Sequence, residues 1–196
     1  MTSATATASA VTPATHTNRL VFNRLGLWLF FVSEVFMFGG LLVVRFHLWG
    51  TTRPDVDQQL GLLVTSILLL SSFFMNRAEL AAKHEDRTNF LVSLVITGVL
   101  GIIFLVGVIG FEWRGHVRPS DGVYGSVLYT MTGLHALHVL SGIIFIAIVW
   151  LYGLKGRYSS QNYWGVEACA IYWHFVDVVW VFFYPALYLI GTVKHL

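Results

Sequence analysis

Six side chains of types that carry protons or bind metals stand in or beside apolar runs: Glu34, His135, His138, Glu167, His174 and Asp177. The tightest grouping is in the last run, Tyr172 to Tyr188, where His174 and Asp177 lie three residues apart and so share a helix face. A carboxylate at membrane depth costs about 2.5–3.5 kcal/mol on insertion scales, so Asp177 needs a hydrogen-bonding partner or a wet cavity. Carboxyl and imidazole groups at helical spacing suit proton transfer, metal ligation or the tying of one helix to another. A haem held by two histidines needs them on facing helices at one depth, which the His135/His138 pair alone does not give. Copper or zinc needs three or four convergent ligands, and the spacing does not assemble them. Buried polar groups mostly exist in hydrogen-bonded pairs, so mutual satisfaction inside a bundle stands beside any proton-carrying role. For Glu34 the two readings weigh about evenly, because acids embedded in a membrane tend to serve function.

The elements that position these groups follow from composition. The chain is 56% hydrophobic and only 11% charged, too little polar material to coat a water-soluble globule. The fold class is therefore all-α and integral to a membrane. A formal net charge of +2 with no basic cluster gives no case for nucleic acid. The single cysteine, Cys169, excludes a disulfide framework within the chain. Residues 1–20 begin with an Ala/Thr/Ser-rich stretch that has neither the basic start nor the apolar core of a secretory signal, and they read as a flexible extramembrane tail.

Residues 21–196 hold five charge-poor runs, about 25–46, 59–77, 89–111, 123–152 and 166–192, each long enough to span. Gly39-Gly40 in the first offers a flat patch for helix packing, and Ser71-Ser72 in the second can hydrogen-bond between helices. Arg45 to Asp55 reads as a polar exit loop, Arg77 to Arg87 as a surface loop, and Glu112 to Gly122, with Trp113 and His116, as a turn with an interfacial aromatic. The aromatics of the last span read as lipid-facing and packing surface, and Pro185 should kink its outer third. Five spans put the termini on opposite sides, and Lys/Arg placement favours a cytoplasmic N-terminus and an outside C-terminus. With ~1.5 Å of rise per residue, Glu34, His174 and Asp177 fall at similar depth, and meetings of Glu34, His138 and the last span are allowed.

Several stretches resemble one family. Ser33-Glu34-Val35-Phe36-Met37-Phe38, Ser120-Asp121-Gly122-Val123-Tyr124-Gly125-Ser126, Thr132-Gly133-Leu134-His135-Ala136-Leu137-His138-Val139, Gly165-Val166-Glu167-Ala168 and Tyr172 to Trp180 stand in the order found in subunit III of the haem-copper respiratory oxidases. Together they cover the chain from about Leu25 to Tyr188, and with five spans it resembles the short bacterial form rather than the seven-span form. The resemblance implies a subunit without redox centres of its own, in a bacterial plasma membrane. It would pack against the catalytic subunit I and other oxidase subunits, which bear haem and copper, and would hold phospholipid and support sustained turnover and proton uptake. Glu34 matches the family's carbodiimide-reactive carboxylate. Asn162-Tyr163-Trp164 stands where many members carry histidines, so no metal site is carried over. Subunits III of quinol oxidases and a nitric-oxide-reductase-associated homologue are near alternatives. A small proton-conducting transporter using Glu34 and Asp177 is the rival of another class, and an independent membrane enzyme a further one, opposed by the lack of a polar catalytic cluster at an aqueous interface.

Overall fold

The computed structural model describes residues 13–111, 113 and 117–194. Residues 1–12 of the expected tail, and Glu112 and His116 of the expected turn, lie outside the described residues. The helices are α1 (Pro13–Trp49), α2 (Gln58–Lys83), α3 (Arg87–Leu105), α4 (Gly122–Leu154) and α5 (Trp164–Tyr184), with two short strands, β1 (Thr52–Pro54) and β2 (Thr192–Lys194). Among the described residues, five helical stretches are long and apolar enough to cross a membrane: Leu20–Trp49, Gln58–Lys83, Arg87–Gly110, Gly122–Leu154 and Trp164–Leu189. The all-α, five-span class read from composition is the class observed.

The chain divides into two compact units, Met1–Val35 and Phe36–Leu196. In the first, α1 already begins at Pro13, inside the segment expected as a tail.

In the second unit the helix ends are set by local chemistry. Asp57 caps α2 by accepting from the amides of Gln59 and Leu60, and Asp86 caps α3 by accepting from that of Asn89. Between them Glu85 takes a left-handed φ of 61°, which turns the chain back within three residues, His84 to Asp86. Helix α2 therefore runs on past Arg77, where the sequence reading placed a loop. Arg77 to Lys83 is made of good helix formers, and Ala78, Ala81 and Ala82 are buried. Arg77 Nη2 donates to Asn89 Oδ1 of α3 at 2.7 Å.

Pro185 does remove a backbone donor, and the chain answers by widening: Pro185–Leu189 is a π-type turn, with the Ile190 amide donating to the Pro185 carbonyl at 2.9 Å. Beyond it β2 lies parallel to β1, Arg53 opposite Val193. Arg45 is not in an exit loop. It sits in the last turns of α1, fully buried, and donates to the carbonyls of Gly50 (3.2 Å) and Ile190 (2.5 Å). A cation there meets the carbonyl ends of α1 and of the α5 extension, which favour positive charge.

Helix α5 is the centre of this unit. In its most apolar window 56% of residues are buried, against 33–39% for the stretches containing α2, α3 and α4. Trp173, Val176, Trp180 and Phe183 face inward against Leu68 and Met75 of α2, Leu94 and Phe104 of α3, and Val139 of α4. The aromatics of the last span are thus mainly core; Phe182 is an exception, exposed on the outer face.

Candidate functional site

The polar residues of α5 meet hydroxyls of α2. Thr65 and Ser72 are seven residues apart, as are Trp173 and Trp180, so on each helix the pair recurs on one face after two turns. Trp180 Nε1 donates to Thr65 Oγ1 and Trp173 Nε1 to Ser71 Oγ, both at 2.9 Å. Between these rungs, Ser72 Oγ lies 3.0 Å from His174 Nδ1 and donates to Asp177 Oδ2. The expected interhelical role of Ser71-Ser72 thus falls on the very residues singled out in α5. The acid is 4% exposed, and its Oδ1 has no hydrogen-bond partner among the described residues.

Glycines make room for this seam. A Cβ on Gly101 of α3 would stand 2.6 Å from Trp173 Cη2, and one on Gly142 of α4 would stand 2.9 Å from Trp173 Cε3. The indole therefore fills a slot between two glycines while its N–H reaches a third helix. Gly39 and Gly40, expected at a helix contact, meet none of the described residues within 4 Å of where a Cβ would stand.

The two histidines of α4 sit in different surroundings. His135 is fully buried, stacked on Trp180 at 4.7 Å and edge-on to Phe104 at 5.6 Å, with neither ring nitrogen hydrogen-bonded among the described residues. His138 is partly buried: its Nδ1 lies 2.8 Å from the Leu134 carbonyl, and its ring meets Phe38 edge-on at 4.9 Å. Glu167 is half-buried nearer the start of α5, within electrostatic reach of Glu79 of α2. Glu79 is a membrane-edge acid the sequence reading passed over, since it fell in the segment taken as a loop. Its four-residue spacing from Lys83 is the helical signal that would have found it. Glu34 belongs to the first unit and is half-buried; beside it Ser33 Oγ donates to the Phe30 carbonyl at 2.6 Å.

The geometry defines a class: a multi-pass helical membrane protein whose intramembrane acid and imidazole are joined to a neighbouring helix through a serine hydroxyl. The pattern of cytochrome c oxidase subunit III matches residues 6–192. Curated relatives named cytochrome c oxidase subunit 3, from Equus caballus, Dugong dugon and Sus scrofa, are each 37% identical over 182 residues, covering 86% of this chain and 70% of the relative. The chain belongs to the cytochrome c oxidase subunit III family.

Proposed function

We propose that this chain is the subunit III of a haem-copper terminal oxidase, a non-redox part of the complex that supports the assembly, stability, lipid binding and proton uptake of its catalytic partner. The observation that carries this reading is the seam itself: the motif residues Trp173, His174, Asp177 and Trp180 are the ones that tie α5 to α2. The motif thus builds the core of the bundle and places an acid within it. Haem and copper would reside in partner subunits, subunit I foremost. Phospholipid would lie along the apolar outer faces, one of which holds a groove of ≈ 230 Å³ lined by Val95, Gly98, Ile102, Ile143 and Ile146 among others. We place the chain in a bacterial plasma membrane with the N-terminus on the cytoplasmic side, an orientation that the balance of Lys and Arg between the loops supports.

Purification in mild detergent through a tag on this chain tests the proposal. Reduced-minus-oxidised haem bands should accompany the tagged chain and disappear when it is separated from its partners. A chain that elutes as a homo-oligomer without haem, and conducts protons after reconstitution, would establish the transporter instead.

A further inference from the structure

The hydroxyls on α2 direct their protons differently. Thr65, Ser66 and Ser71 donate back to carbonyls of their own helix, those of Gly61, Leu62 and Leu68. This leaves the lone pairs of Thr65 and Ser71 to accept the indoles. Ser72 instead gives its proton across the seam to Asp177 Oδ2, with its oxygen 3.0 Å from His174 Nδ1. A hydroxyl has one proton and two acceptor lone pairs, so it can receive from one side while donating to the other. Burial changes along this line, since His174 is half-buried and Asp177 buried.

We propose that His174, Ser72 and Asp177 form a proton-holding site in which His174 is the port, Ser72 the relay and Asp177 the store. When His174 is protonated and Asp177 ionised, the Nδ1–H bond breaks as a new Oγ–H bond forms. The original Oγ–H bond breaks as an Oδ2–H bond forms. An imidazolium and a carboxylate become an imidazole, retaining its Nε2–H, and a carboxylic acid. Total charge is unchanged, no electron moves, and no heavy atom changes place. Other titratable groups on the helices packed against α5 have different neighbours: Glu79 lies by Glu167, His135 stacks on Trp180, and His138 faces the Leu134 carbonyl. Use of the stored proton by an oxidase rests on the chain being its subunit III; the exchange of that proton does not.

The experiment is infrared spectroscopy of the full-length chain, purified with its bound partners and transferred from H2O to D2O. Asp177→Asn identifies the acid band of Asp177. In the wild type and in Ser72→Thr, which keeps the hydroxyl, this band should exchange promptly. In Ser72→Ala and in His174→Phe exchange should slow by on the order of tenfold or more, the effect of losing roughly one hydrogen bond from the path. Unchanged exchange in both variants, or no Asp177 acid band at any pH where the protein is stable, overturns the proposal. Should Ser72→Ala fail to accumulate, Ser72→Thr against His174→Phe decides alone. Loss of haem from the preparation with this exchange pattern intact would overturn the oxidase reading and leave the relay standing.

Discussion

Among the described residues Asp177 receives one side-chain hydrogen bond, and the donor sits on another helix, so its substitutions separate charge from hydrogen bonding. Asp177→Asn keeps an acceptor for Ser72 and should leave thermal stability near that of the wild type. Asp177→Leu leaves the Ser72 hydroxyl only His174 Nδ1 to meet across the seam and should cost on the order of 1–3 kcal/mol, read as a lower melting temperature and a lower yield of complex. Initial oxygen consumption per haem should stay normal in both, with earlier inactivation during sustained turnover; an immediate fall in rate with Asp177→Asn in a fully assembled complex would assign Asp177 a direct part in catalysis. The Trp173 slot gives a second test at this scale. Gly101→Ala and Gly142→Ala each place a methyl against the indole and should destabilise by about 1–3 kcal/mol, the usual range for overpacking. Gly98→Ala on the same helix is the control, because its Cβ would stand an ordinary 3.9 Å from Ile146. Thermal denaturation of the three variants should separate Gly98→Ala from the other two.

At the scale of elements, what the sequence made legible followed from strong, local signals. Five charge-poor runs are hard to mistake, and the three-residue spacing of His174 and Asp177 fixed their common face. Ser71-Ser72 could be named as an interhelical donor, but which residue it would meet depends on the rotation of α2 about its axis, and that is set by packing across several helices. The same limit applied to His135 and His138, since their spacing alone did not say that one ring would stack on Trp180 of α5. Charges misled at the end of α2: Arg77 and Lys83 suggested a loop where buried alanines continue the helix. The hairpin beyond it is tied to the α4–α5 connection, since Glu85 Oε1 accepts from the Ser160 amide (3.0 Å) and hydroxyl (2.7 Å). Those two donors hold the Glu85 carboxyl below the ordinary glutamate range. A depressed folded pKa means the contact contributes fully above that ordinary range and is lost as the pH falls through the depressed value. Amide exchange at Ser160 should therefore quicken on acidification through that window, beyond the intrinsic change, and Glu85→Gln should remove the pH dependence.

For the whole molecule, the question is what meets the parts of the chain that its own helices leave uncovered. Within the second unit, Phe36, Gly40 and Val43 follow the four-then-three spacing of one helix face, and all three are exposed. A glycine inside a helix costs about 1 kcal/mol relative to alanine, and among the described residues nothing stands within 4 Å of where a Cβ on Gly39 or Gly40 would be. Small residues in membrane helices let another helix approach closely, so the gain is expected from outside the chain, where family membership places the other subunits of an oxidase. Gly40→Leu should leave the internal packing near that of the wild type, since none of the described residues lies within 4 Å of where its Cβ would stand. The variant should therefore insert and keep its helical content by circular dichroism, yet bring down less haem per tagged chain than the wild type. Phe182→Leu, on the exposed face of α5, is the control and should retain the full haem ratio. Equal haem recovery in Gly40→Leu and the wild type would show that this stripe of α1 faces lipid, and that the partner is seated on another face.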